Sequence, residues 1–152
     1  MSSLNVPHLL QDKPSWCLPA CVAMVAAYWE QPLYQADVAQ WLGTTDIGTP
    51  SGRIQRLARY GFEIIYQTGS LAQLESWLTQ QMPCILFVRT GALSYWQLDT
   101  AHALVLTGLT SDLATLLDPM METTPIAVGT DELLLAWSYF DYTYAVLKPE
   151  NL

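Results

Sequence analysis

The run from Cys17 to Trp29, CLPACVAMVAAYW, carries no charged side chain at all. A helix made of these residues is apolar almost all round, so it has no face to offer to water and must be wrapped by the rest of the chain. Pro19 falls in its first turn, where the missing N–H removes no hydrogen bond, so the helix is expected to open at Cys17. The run is too short for a bilayer, which needs about 20 apolar residues, and is read as a buried helix. Met1 to Pro7 holds no basic cluster leading into an apolar run, so no secretory signal is read there. A cytoplasmic protein that does not span a membrane is expected.

The rest of the chain has to supply the wrapping. It has 152 residues, of which 51% are hydrophobic and 13% charged, enough for one well-filled core and hardly for two. One domain over residues 1–152 is expected. Gln35 to Leu42 reads as a second helix ended by Gly43, and a polar loop from Thr44 to Gly52 leads to a third at about Ile54 to Tyr60, ended by Gly61. The pattern then changes. Phe62 to Gln67 is strand-like, Leu71 to Gln81 an amphipathic helix, and Pro83 to Val88 a buried strand, followed by a loop from Gly91 to Ala101. His102 to Leu109 and Ala114 to Leu117 flank Thr110-Ser111-Asp112, which is turn chemistry for an antiparallel hairpin. Strands at Ile126 to Val128 and Tyr142 to Leu147 bracket a helix starting near the capping residues Thr130 and Asp131. Helices first and antiparallel strands afterwards make an α+β fold.

Charge and thiol content narrow the function. A net charge of −8, with only six basic residues, argues against nucleic acid as a partner, since phosphate binding needs a dense positive surface. Arg53, Arg56 and Arg59 recur every third residue and read as a solvated helix stripe. Cys17, Cys21 and Cys84 are an odd number and imply free thiols in a reducing compartment. With His8 and His102 as the only other soft ligands, they do not make a zinc site, and no metal or cofactor is expected.

Position singles out Cys17. At the start of a buried helix, unpaired N–H groups and the positive end of the helix dipole stabilise a thiolate, the form that attacks carbonyls. Cys21, one turn on, lacks that advantage and reads as core. Of the two histidines, His8 lies in the N-terminal loop and reads as a surface residue, whereas His102 begins a strand at the edge of a loop. If Leu109 faces Leu113 across the turn, Asp118 falls opposite Leu104 and diagonal to His102, about 7 to 8 Å away by Cα and within reach of the two side chains. Asp118 would then orient the imidazole. Gln11, six residues before Cys17, could donate its side-chain amide to an oxyanion beside the Cys17 N–H.

Taken together, Gln11 to Cys17, the helix Leu18 to Val25, His102-Ala103-Leu104-Val105-Leu106-Thr107-Gly108 and Leu117-Asp118-Pro119 resemble the C39 peptidases, papain-like cysteine peptidases whose best-known members remove leader peptides from exported peptides after a Gly-Gly pair. The resemblance implies a papain-like fold with a central N-terminal helix on an antiparallel sheet. It implies Cys17 as nucleophile, His102 as general base and acid, Asp118 as orienter and Gln11 as oxyanion donor, acting on a peptide or protein substrate through a thioester. Trp16-Cys17-Leu18 stands where those members carry Asp-Cys-Gly, and neither membrane nor ATPase domain accompanies it, so a stand-alone peptidase is expected. Two other readings stay open: a catalytically silent C39-like module, whose peptide groove Tyr95 and Trp96 would help to line, and an acyltransferase of the same clan.

Overall fold

The computed structural model describes residues 3–152. The elements, in chain order, are α1 (Cys17–Tyr28), α2 (Gln35–Leu42), a 3₁₀ helix (Ser51–Tyr60), β1 (Phe62–Thr68), α3 (Leu71–Thr79), β2 (Cys84–Arg89), β3 (Ala101–Leu109), β4 (Leu113–Leu117), β5 (Ile126–Gly129), α4 (Thr130–Ser138) and β6 (Thr143–Pro149), with one short 3₁₀ turn (Thr90–Ala92) after β2. The strands form one six-stranded sheet in the order β1-β6-β2-β3-β4-β5, with antiparallel pairing throughout. No helix of the described residues is long and apolar enough to cross a membrane.

Helix α1 is wrapped as its composition demands: every residue from Leu18 to Ala26 is buried. Successive residues of a strand point to opposite faces, and β3 uses both. Ala103 and Val105 join α1, α2 and the 3₁₀ helix in one apolar cluster, while Leu104 and Leu106 join α3 and α4 in another. The core anticipated as one mass is therefore divided by the sheet into two.

Several boundaries shift for local reasons. The third helix is a 3₁₀ helix beginning at Ser51, and at three residues per turn Arg53, Arg56 and Arg59 line up along it. Helix α3 stops at Thr79, and the chain reverses through Gln81 at φ +66°. Asp141 and Tyr142 also take positive φ, so β6 starts at Thr143 and not at Tyr142. Gly129 is the N-cap of α4 and makes no side-chain cap bond; the Thr130 hydroxyl instead donates to the carbonyl of Thr110 at 3.0 Å.

The β3–β4 hairpin matters most for the site. Leu109 pairs with Ala114 and not with Leu113, so the turn is one residue longer than its composition suggests. An irregularity between Leu106 and Gly108 takes the extra residue back, and beyond it Leu106 faces Leu116 and Val105 faces Leu117. Continuing that register by one pair sets Asp118 against Leu104, diagonal to His102. The two offsets cancel.

Candidate active site

Helix α1 opens on Trp16, which provides no side-chain cap, and its first turn holds no acidic residue. The first N–H groups of the helix are thus left for another acceptor, and the half-buried Cys17 occupies the first helical position beside them. His102, 7% exposed, stands at the start of β3 within reach of the thiol. Burial pushes the Cys17 thiol up, but the His102 ring and the backbone N–H groups of Ala103 and Leu18 more than offset it, so its pKa falls below the ordinary thiol value. The other two cysteines go the opposite way. Cys21 is raised well above that value by burial, with the charges of Cys17 and Asp118 adding to it, and Cys84 is raised by burial alone.

His102 Nε2 donates to Asp118 Oδ1 at 2.8 Å, which leaves Nδ1 as the ring nitrogen for Cys17. Burial opposes charge on the imidazole, but the hydrogen bonds and charges of Asp118 and Cys17 prevail and raise its pKa to about 9. Asp118 has no solvent exposure and is the most heavily bonded group of the site. Its Oδ1 also accepts the Met120 N–H at 2.9 Å, and its Oδ2 accepts the Tyr95 hydroxyl at 2.7 Å and the Trp96 indole N–H at 2.9 Å. Burial would raise the carboxyl, yet His102, Tyr95 and the Met120 N–H hold it below the ordinary carboxylate value. Such a carboxylate stays ionised and orients the ring without taking its proton.

Tyr95 and Trp96 therefore do something their sequence position did not disclose. As a groove lining they would face a peptide; here their polar tips are turned onto Asp118. Trp96 also packs against the His102 ring, with centroids 4.8 Å apart at 61°. The available signal was modest: two aromatic residues with polar tips in the loop just before the histidine.

The N-terminal segment brings Gln11 to the same end of the sheet, its backbone N–H donating to the carbonyl of Pro119 at 2.8 Å. The side chain is arranged differently from the expectation. Nε2 donates to the carbonyls of Lys13 at 2.9 Å and Pro14 at 2.7 Å, so both amide N–H bonds brace the loop leading to Cys17, while Oε1 is buried without a partner. His8 is not a free surface residue either: it is half-buried, and its Nε2 lies 2.8 Å from the carbonyl of Met121. Buried Gln35 on α2 completes the strap, accepting from the N–H of Asp12 and donating to the carbonyl of Leu10.

Cys17 and His102 open into a cleft of about 460 Å³. One wall is the segment from Thr45 to Arg53; Phe87, Ala101, Ala103 and Phe140 complete it. Among the described residues, no three His, Cys, Asp or Glu side chains gather as a metal site would require. The site has the parts for nucleophilic attack by sulfur and proton transfer by imidazole.

The model of the Peptidase_C39 like family matches residues 3–145. The chain belongs to that family. Its fold agrees with solved C39 structures of low sequence identity. A Bacillus anthracis protein described as a C39-like peptidase superposes with a TM-score of 0.77 at 15% identity, over 97% of this chain and 98% of that one. A double glycine motif protease from an AMS/PCAT transporter, solved with its leader peptide, gives 0.75 at 20% identity, over 97% and 94%. The peptidase domain of Streptococcus ComA, a bifunctional ABC transporter of a quorum-sensing pathway, gives 0.75 at 19% identity, over 95% and 99%. No curated protein sequence matches the chain. The C39-like fold thus holds at sequence identities where few side chains are shared.

Proposed function

We propose that this chain is a cysteine peptidase that cleaves a peptide or protein through a Cys17 thioester. The observation that carries the reading is the placement of Cys17 at the uncapped start of α1, in one cleft with His102, whose ring is held by Asp118 at 2.8 Å; the lowered Cys17 thiol and the His102 imidazole raised to about 9 agree with it. That combination shifts the pair toward a thiolate facing an imidazolium, the charge state that attacks a carbonyl.

The steps follow from that charge state. Cys17 Sγ adds to the scissile carbonyl carbon, forming the C–S bond and moving the carbonyl electron pair onto oxygen. The uncapped N–H groups at the start of α1 stabilise the oxyanion, and Gln11 joins them by exchanging one of its loop carbonyls for it. The imidazolium of His102 gives its proton to the amide nitrogen as the C–N bond breaks, and the amine leaves. His102, now neutral, takes a proton from water as that water attacks the thioester, which releases the acid product and restores the thiolate. Asp118 holds the ring's orientation and tautomer throughout.

The test is labelling with a peptidyl fluoromethyl ketone, located by mass spectrometry of the digested protein. Modification of Cys17 at neutral pH, abolished in Cys17→Ala and slowed at least 100-fold in His102→Ala, is the expected result. Modification confined to Cys21 or Cys84 would overturn the reading.

A further inference from the structure

The chain is acidic, with 14 Asp and Glu against six Lys and Arg, yet no Asp or Glu lines the cleft at Cys17. Its charged lining consists of Cys17, His102 and Arg53. His102 is already paired with the Asp118 carboxylate at 2.8 Å. Arg53 is different: it has no carboxylate within ion-pairing distance among the described residues, whose ion pairs are Arg89 with Asp99, Lys148 with Glu63 and His102 with Asp118. Asp46, in the same loop, does not reach it.

The guanidinium is nevertheless held in place. Its Nη1 donates to the carbonyls of Gly43 at 2.8 Å and Leu42 at 3.4 Å, the last carbonyls of α2. That anchor fixes the plane of the group and leaves Nε and Nη2 without an acceptor among the described residues. The helix end carries only about half a negative charge, so the anchored guanidinium keeps net positive charge. Arg56 adds to it, since its Nη1 and that of Arg53 both lie over Gly43. An anchored guanidinium with a free edge is suited to a carboxylate, which can take two parallel N–H bonds.

We infer that the Cys17 cleft selects a peptide carrying an acidic side chain in the segment lying along the 45–53 wall, with Arg53 as the specificity-determining residue. The surrounding surfaces of Ile47, Phe87 and Phe140 are apolar, so the acidic residue is to be flanked by an apolar one. The net acidity of the rest of the chain sharpens the choice, because an acidic peptide finds its one favourable positive edge here and nowhere else along the cleft. The inference rests on reading this cleft as the peptide site; it does not require that the peptide be cleaved.

The experiment separates the two. In the Cys17→Ala chain, fluorescence titrations with acetylated hexapeptides of Leu and Ala, carrying Glu, Gln or Lys at each position in turn, measure affinity without turnover. At one or two positions the Glu peptide is expected to bind at least tenfold tighter than its Gln partner. Adding Arg53→Gln brings that ratio to near one, and Arg53→Glu turns the preference toward the Lys peptide. A ratio near one at every position in the Arg53-containing chain overturns the inference, as does a preference that survives Arg53→Gln. Should Arg53→Gln not fold once its bond to α2 is lost, the ratio in the Arg53-containing chain still decides. Failure of the fluoromethyl ketone to label Cys17 would strike the peptidase reading alone.

Discussion

The two walls of the cleft are built on opposite terms. On the β3 side the carboxylate that holds His102 is saturated: Asp118 accepts four hydrogen bonds, and both its partner ring and its own carboxylate are buried. On the other side, the Thr45–Gly48 turn closes on itself by two backbone bonds and displays Asp46 and Ile47 to solvent, while Arg53 keeps unused donors. A buried network that is fully satisfied has one arrangement, which a reaction step needs. Unfilled donors and exposed apolar surface on a tight turn are what a partner molecule can fill. In the proposed reading, chemistry falls to the saturated wall and selection to the unsaturated one.

The saturated wall is most easily broken at its centre. Asp118→Asn puts an NH₂ where two donors already point. Neither the Trp96 N–H on Oδ2 nor the Met120 N–H on Oδ1 can turn into an acceptor, so the NH₂ confronts a fixed donor on either side, and where it faces His102 it also breaks the Met120 bond. The ring must then accept at Nε2 and carry its proton on Nδ1, the wrong tautomer for Cys17. A loss of kcat/KM of roughly 100- to 10,000-fold is expected, measured on any peptide that the unmodified chain cleaves. The pH profile gives the sign. Activity of the unmodified chain should rise as pH climbs through the lowered Cys17 pKa and fall near pH 9, where the imidazolium is lost. Because Asp118 holds the imidazole pKa up, its loss moves the alkaline limb to lower pH and narrows the profile. An alkaline limb left in place would mean that the two walls do not differ in the way described.

A smaller effect is expected at Trp96, whose place in this wall comes entirely from tertiary structure. Trp96→Phe keeps an aromatic ring on His102 but removes one donor from Asp118. A hydrogen bond to a charged group contributes about 1.5 to 3 kcal/mol, and the three remaining donors on Asp118 soften its loss, so a drop in kcat of about tenfold is expected. Trp96 does not line the cleft, so KM should stay within about twofold. A KM that rose with an unchanged kcat would place Trp96 on the peptide and return it to the groove-lining role.

The contrast between the walls also explains what could be read in the sequence. Helix α1 was legible because an uncharged apolar run has one destination, and the placement of Cys17, His102 and Asp118 at one end of the sheet was legible because a helix start, a strand start and a hairpin register are local patterns. The hairpin reached the right pairing through a turn one residue longer than expected and an irregularity near Thr107, neither of which composition reveals. Tyr95 and Trp96 were not legible as partners of Asp118, since a loop's side-chain directions are set by what it packs against. Gln11 was legible as a residue near Cys17 but not in its bonds, which depend on the carbonyls that the Lys13–Pro14 turn happens to present. The arginine stripe was visible as a spacing; only the 3₁₀ geometry and the end of α2 show that Arg53 belongs to the cleft and not to a solvated face.

The smallest effect, and the one that bears most directly on the unsaturated wall, is expected at Ile47. It is 97% exposed at the tip of a turn that its neighbours close on both sides, Thr45 with Gly48 and Thr44 with Thr49. An isoleucine so exposed adds almost nothing to folding, so Ile47→Ser should leave the thermal midpoint unchanged and stability within about 0.5 kcal/mol. Full burial of such a side chain contributes about 1.5 to 3 kcal/mol, and a peptide lying along the wall would cover part of it, so KM should rise about three- to tenfold with kcat unchanged. The turn needs no rearrangement to make that contact, because its backbone bonds already hold Ile47 at the rim. A KM that did not move would mean that peptides enter without touching this wall, and selectivity would then have to come from the Phe87 and Phe140 side of the cleft.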